Sequence, residues 1–394
     1  MKVLVYGTAR SGRAVRERLE ERGDGVVLVD RSLGNENDLA LLDGVELVVK
    51  SPGVPGERPL VRAARERGVA VWSEVELGYR LLAPAGTRFV GVTGTNGKTT
   101  TAELLGAIFR AGGRDVAVAG NVGTPLTSVR AAEWVVCELS SFQLEDVHEL
   151  ACAVAVLLNL EPDHLDRHGS FEAYRAAKLR IFERARVAIV PQLLPFDNSY
   201  LTDTVIEFAA TDPLPAEPLL RGAHNRENAA AATAAARAAG IGEEAIAEAL
   251  RTFAGVPHRL EIVAERDGVT YVNDSKATNV AAARRALAAY ADEPVHLILG
   301  GSLKGEDFAP LADAIASNVR SVHLIGEAAA ALARAVDGHD DGTLEQALAH
   351  ASALARPGDV VLLSPACASF DQFESFEHRG ETFRRLVARE RAQS

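Results

Sequence analysis

The 394-residue sequence predicts an α/β protein built as three parallel-sheet domains in series. Three observations lead there. Short apolar runs alternate with amphipathic stretches of helical length along the chain, the pattern of strand–helix–strand crossovers. Gly-rich turns at 7–12 and 94–97 each join such a run to a helix, a junction that points backbone N–H groups at a phosphate. Two stretches, LLAPAGTR (81–88) and the neighbourhood of Ala254–Pro257, read as linkers and give domains at 1–86, 87–255 and 256–394.

In the first domain KVLVYG is a strand, GRAVRERLEERG a helix, and VVLVD and VELVVKS two more strands. The turn GTARSG (7–12) has a dinucleotide-type spelling with Ala9 at the middle glycine, and Asp30 ends the second strand. That spelling predicts a Rossmann-like domain. Alone, it also fits a nicotinamide-dependent oxidoreductase.

In the second domain the strand FVGVTG enters GVTGTNGKTTTAELL (91–105) and a helix from about Thr99 to Arg110. The common phosphate loop wants glycine where Val92 stands; Gly91 and Gly94 supply the bend instead. Backbone N–H groups of Gly94, Thr95, Asn96, Gly97 and Lys98 are expected around an ATP phosphate chain, with Thr100 beside them. Lys98 would neutralise phosphate oxygens and the Thr99 hydroxyl would reach Mg²⁺. WVVCELSS and CAVAVLLNL are strands, the second almost wholly apolar and so central. SFEAYRAAKLRIFERA (170–185) reads as a helix, the stretch from Pro191 to Pro218 as irregular, and ENAAAATAAARAAG (227–240) as an Ala-rich helix stopped by Gly240. In the third domain VTYVNDSKATN, VHLILGG, SVHLIGE and VVLLSPA are strands, each followed by a helical segment, giving a second Rossmann-like unit.

Composition narrows the function. Net charge is −12 with no basic run, which argues against a nucleic-acid partner. No apolar run approaches the ~20 residues of a membrane span, and MKVLVYG lacks the layout of a signal peptide. A cytoplasmic protein without a membrane partner is expected, with Cys137, Cys152 and Cys367 as free, buried thiols. Of 42 basic residues only six are lysine: Lys2, Lys50, Lys98, Lys178, Lys276 and Lys304. So strong a lean to arginine suggests lysines kept for point-charge contact with phosphate or for a nucleophilic amine.

Lys178 shares a helix face with Phe171, Tyr174, Ile181 and Phe182. Two readings stay open. A lysine on an apolar face ordinarily snorkels. A buried one loses its charge and presents a neutral amine, able to capture CO₂ as a carbamate. An oxidoreductase built on turn 7–12 leaves Lys98, Lys178 and the third domain unexplained. A nucleotide switch or assembly ATPase would not need a buried lysine or a second cationic α/β domain.

TGTNGKTT (93–100), ELSSFQLE (138–145), EPDHLDRHGSFEAYRAAKLRIFE (161–183), HNRENAAAA (224–232), NDSKATN (273–279) and LGGSLKG (299–305) resemble motifs of the Mur ligase and folylpolyglutamate synthetase superfamily. LSPACASFDQFESFEHRG (363–380) is similar to the motif of its D-glutamate-adding branch. The resemblance implies phosphorylation of a carboxylate by ATP and attack of an amine on the acyl phosphate. The substrates would be UDP-N-acetylmuramoyl-L-alanine, D-glutamate and ATP, with a monomeric protein. It implies Mg²⁺, two ions, held by Thr99, Glu138, His164 and a CO₂-derived carbamate on Lys178. Lys98, Glu138, His164, Lys178 and Lys276 are the implied catalytic residues. Asn228, Arg259 and Asp274 would join the loop at ATP, with His224 and Asn225 in the same nucleotide-side motif. His164, Lys276, Thr278, Lys304, Ser369 and Phe370 would meet D-glutamate. The uridine nucleotide is expected at Arg10, Ser11, Asp30, Arg31, Ser51, Gly53 and Asn121. A helix-capping role also fits Ser275 and Asn279, and Asn228 fits a helix N-terminus. Two departures stand out: TARS in the first turn is more polar than usual for the family, and the stretch from Val190 to Gly222 is shorter.

Overall fold

The computed structural model describes residues 1–194, 201–220, 222–303, 305, 307–315 and 318–389. The chain divides into two compact units, one of residues 1–219 with 224–253, the other of 220–223 with 254–394.

The first unit holds two sheets. One comprises β1 (Lys2–Tyr6), β2 (Gly25–Val29), β3 (Leu47–Lys50) and β4 (Ala70–Ser73), in the order β2-β1-β3-β4 with every pairing parallel. The other comprises β5 (Arg88–Thr93), β6 (Val116–Gly120), β7 (Trp134–Glu138), β8 (Val154–Leu157), β9 (Val187–Pro191) and β10 (Val205–Phe208). Its order is β10-β9-β8-β5-β7-β6, again all parallel. Parallel strands need crossover helices on both faces, so their interior residues read as unbroken apolar runs. β8 is buried at every position and lies between β9 and β5, as its composition predicts. Helices Lys98–Ala111 and Ala223–Ala238 bury Leu105, Ile108 and a stripe of alanines against one face of this sheet.

The second unit carries β11 (Glu261–Arg266), β12 (Val269–Asn273), β13 (Val295–Gly300), β14 (Val319–Ile325), β15 (His339–Gly342) and β16 (Val360–Leu363), in the order β11-β12-β16-β13-β14-β15. β11 is antiparallel to β12 and the other pairings are parallel. The predicted α/β class with three sheets in series is therefore what the chain forms.

Two expectations are corrected. The helix expected over 170–185 runs only Phe171–Leu179, then tightens into a 3₁₀ turn at Arg180–Phe182 that drops Ile181 and Phe182 into the core. The stretch 191–218, read as irregular, contains β10, which pairs with β9; residues 195–200 lie outside those described. Strands β4, β6, β9, β11 and β15 were not anticipated either. Most of these are edge strands or short, and β15 reads HDDG, with nothing apolar to announce it. Among the described residues no helix is long and apolar enough to cross a membrane. The three cysteines are free and buried.

Candidate active site

The phosphate-type loop begins where β5 ends. Val92 is a buried strand residue paired to Glu138 and Val156, so the position needs no glycine. The bend falls later, at Gly94 (φ +155°) and Gly97 (φ +81°), backbone that other residues adopt at a cost. A Cβ on Gly97 would stand 2.3 Å from Asn228 Oδ1. Asn228 thus packs on the loop from the sixth position of its helix rather than from the helix N-terminus. Asn159, just past β8, frames the other side: its Oδ1 accepts the Asn96 N–H at 2.8 Å and its carbonyl accepts the Thr95 N–H at 3.1 Å. The Thr95 hydroxyl meets the Tyr174 hydroxyl at 2.9 Å and accepts the Glu161 N–H at 3.0 Å. Thr99 and Thr100 are buried in the first turn of the following helix.

Lys98 opens that helix and donates through Nζ to the carbonyls of Gly94 and Thr95, both at 2.9 Å. Lys178 donates to the same Gly94 carbonyl at 2.8 Å. It is 2 % exposed, so the snorkelling alternative is excluded. Burial first, and Lys98 second, lower its pKa from 10.5 to about 7, against the pull of Asp163 and Glu138.

Glu138 is the buried last residue of β7, its Oε1 accepting Asn121 Nδ2 at 3.0 Å. Asn121, expected at the uridine nucleotide, is here a partner of Glu138. His164 adopts a left-handed conformation (φ 51°), is half exposed, and sets its ring 4.9 Å from that of Phe142 at a tilt of 52°. Its Nε2 is 3.5 Å from Asp163, a carboxylate the motif reading passed over although it also acts on Lys178.

The N-terminal turn is held by Asp30. Its Oδ2 accepts the Thr8 N–H at 2.8 Å and its Oδ1 the Ser32 N–H and hydroxyl at 2.9 and 2.7 Å, which holds its carboxyl well below the usual range. Arg31 and Gly53 are exposed and Ser11 half-buried. Ser51 lies against Gly7, whose Cβ position is 2.6 Å from Ser51 Oγ. Arg10 donates to the Gly123 carbonyl at 3.1 Å.

The loop after β3 is tied down by residues that no motif singles out. Arg167 donates to the carbonyls of Pro52 and Val54 at 2.7 and 3.2 Å, and Lys50 donates to Val54 at 3.2 Å. Lys50 is fully buried against Asp146 at 2.9 Å. The scarcity of lysine was the one signal for it.

On the second unit, Asp274 follows β12, buried, accepting the Ser364 hydroxyl at 2.7 Å and the Leu260 N–H at 3.2 Å. Burial pushes its carboxyl up to about 7. Lys276 Nζ lies 5.7 Å from the Phe376 ring centroid, and Thr278 donates its N–H to the Lys276 carbonyl at 2.8 Å. Arg259 is half-buried. Asn279 caps helix Val280–Ala289, the structural role allowed for it, whereas Ser275 donates to the Phe376 carbonyl instead of capping that helix. Ser369 is buried, whereas Phe370 is 72 % exposed. Lys304 lies outside the described residues. Beneath Ser369 sits Arg379, fully buried, which donates to Ser275 Oγ and to the carbonyls of Ser275, Gly300, Cys367 and Ala368. It stands inside the quoted FEHRG motif, yet a lone arginine in a helical segment gives no sign of burial.

Comparison with known proteins agrees with this geometry. Residues 92–213 match the Mur ligase middle domain and 258–367 the Mur ligase glutamate ligase domain. The UDP-N-acetylmuramoylalanine–D-glutamate ligase of Acidobacterium capsulatum is 40% identical, with 98% of this chain and 96% of that protein covered. The ligase of the same name from Myxococcus xanthus is 41% identical over 98% of each. The alignment to the first runs over 445 positions against 394 residues here, so that relative carries insertions this chain lacks. Among solved structures, the UDP-N-acetylmuramate–alanine ligase of Thermotoga maritima superposes with a TM-score of 0.64 at 19% identity, covering 100% of both chains. E. coli FolC in complex with ADP does so at 0.59 and 22%, covering 80% of this chain and 93% of that one. With two family domains matched and relatives at 40% identity over nearly the whole length, the chain belongs to the Mur ligase family.

Proposed function

We propose that this protein uses ATP to join D-glutamate to UDP-N-acetylmuramoyl-L-alanine, forming an amide through an acyl phosphate with release of ADP and phosphate. In this reading residues 1–86 receive the uridine nucleotide, 87–255 the ATP, and 256–394 the amino acid. The observation that carries it is the meeting of Lys98 and Lys178 on one carbonyl, Gly94 O, at 2.9 and 2.8 Å. That meeting sets a cation, Lys98, where a phosphate chain can use it, beside an amine whose charge burial and Lys98 together disfavour.

Lys98 neutralises charge on the phosphoryl oxygens as it moves to the acceptor carboxylate, and the loop N–H groups fix the chain in line. A buried lysine with its pKa near 7 is often a neutral amine. Its lone pair attacks CO₂, forms a C–N bond and releases one proton, and the carbamate that results is an anion beside Lys98. The carboxylate of Glu138, anchored by Asn121, the Thr99 hydroxyl and such a carbamate are hard oxygen donors that fit Mg²⁺. With His164 they would hold it, where it supplies charge neutralisation to the phosphates. On the amino-acid side Lys276, Thr278, Lys304, Ser369 and Phe370 are the proposed contacts for D-glutamate, and Arg259, Asp274 and Asn228 those for the nucleotide. Arg10, Ser11, Asp30, Arg31, Ser51, Gly53 and Asn121 are proposed for the uridine nucleotide, Asp30 acting by shaping the turn.

Phosphate release from ATP tests the proposal, with each substrate omitted in turn. Release that requires both UDP-N-acetylmuramoyl-L-alanine and D-glutamate is expected. Release driven by a folate with L-glutamate would overturn the assignment.

A further inference from the structure

Four of the ten histidines lie together in the second unit, and none of them carries a role assigned above. His296, Ser321 with His323, and His339 with Asp341 come from the neighbouring strands β13, β14 and β15; His350 comes from the helix Leu344–Leu354. Asp341 is the centre. Its side chain is wholly buried, and His323 Nδ1 donates to its Oδ2 at 2.7 Å. The other oxygen, Oδ1, faces Nδ1 of His339 at 2.8 Å and Nδ1 of His350.

The three ligand atoms, two imidazole nitrogens and one carboxylate oxygen, lie within 4.8 Å of one another. The rings of His339 and His350 stand at 80° to each other with centroids 5.7 Å apart, so they converge on the gap instead of stacking over it. Their side chains are 70 % and 56 % exposed, which gives an ion a way in.

We propose that His339, Asp341 and His350 form a binding site for a divalent transition ion of the zinc class, unconnected with the reaction. Two imidazoles and a carboxylate match the borderline donors such an ion takes, with water in the fourth position. Mg²⁺, a hard ion that prefers a mostly oxygen shell, is a poor occupant of a site where two of three ligands are imidazoles. Each imidazole would bind the ion through the lone pair of its Nδ1, with any ring proton on Nε2. The carboxylate is already oriented by the kind of outer partner that metal ligands carry. His323 is held in turn by Ser321 Oγ at 2.8 Å, and Ser321 by His296 at 2.7 Å, whose other nitrogen meets Asp359 at 3.2 Å. This buried row fixes Asp341 before any ion arrives.

The test is calorimetric titration of the chelator-treated full-length protein with Zn²⁺ in excess Mg²⁺, beside His339→Ala and His350→Ala. Both substitutions are at exposed rings and leave Asp341 and the buried row intact. One Zn²⁺ per wild-type chain is expected, with affinity falling at least roughly tenfold in each variant. Co²⁺ in place of Zn²⁺ should give the absorption of a tetrahedral ion in the wild type alone. Wild-type protein that takes up no Zn²⁺, or variants that bind it as tightly, overturns the proposal.

Discussion

Replacing Lys178 by methionine should stabilise the fold, and by an amount that depends on pH. The buried ammonium is disfavoured first by desolvation and then by Lys98, so its pKa falls from 10.5 to about 7. At ~1.4 kcal/mol per pH unit, that difference is about 5 kcal/mol. Below pH 7 the lysine is protonated in both folded and unfolded chains, and the whole cost of burying its charge is present. Between about 7 and 10.5 the unfolded chain holds a proton that the folded chain has given up, so the cost shrinks as pH rises. Methionine keeps most of the length of the unbranched side chain and removes the charge. Urea unfolding of both proteins in CO₂-free buffer from pH 6 to 9 reads the effect directly. The advantage of Lys178→Met should be largest at pH 6 and smaller at pH 9 by roughly 2–3 kcal/mol. A constant difference across that range would mean that Lys178 is not the strained cation described, and the case for a neutral amine would go with it.

For turnover, Lys178→Arg should abolish activity, because a guanidinium cannot be carbamylated, while Lys178→Ala should recover part of it in short-chain carboxylic acids; full activity in Lys178→Arg would reject the carbamate. Gly97→Ala meets left-handed strain of about 1–2 kcal/mol and places a methyl 2.3 Å from Asn228 Oδ1. ATP binding measured by calorimetry should therefore weaken at least roughly tenfold, with unchanged affinity counting against the loop as the phosphate site. Arg379→Met leaves five acceptors without their donor. It should cost at least ~3 kcal/mol in chemical denaturation, and a neutral result would show that water replaces the guanidinium.

The glycine-rich loop and the apolar helix face that carries Lys178 were legible because both are local. A glycine spacing or a helix face is complete within a dozen residues. Lys50 with Asp146 joins residues 96 apart, and Arg379 with Ser275 104 apart; no periodicity carries such pairings. Lysine scarcity marked Lys50 as unusual without naming its partner. Helix 170–185 was overextended because its apolar face continues through Ile181 and Phe182, although the backbone has already tightened into 3₁₀ geometry there. β10 and β15 escaped because edge strands bury too little to alternate clearly. The place of Asp30 at the end of β2 was legible because it too is local, but not the hydrogen bonds its carboxylate accepts from Thr8 and Ser32, which only the folded turn brings together.

The cation under Ser369 has a consequence for how the protein responds to its medium. Arg379 is held by a hydroxyl and four carbonyl dipoles, and among the described residues no carboxylate hydrogen-bonds to it. Mobile ions weaken attraction between exposed charges across a Debye length but do not reach a buried one. Concentrated salt should therefore loosen the rim of this unit, where Arg384 and Glu381 pair near solvent at 2.8 Å, long before it disturbs the segment 367–369.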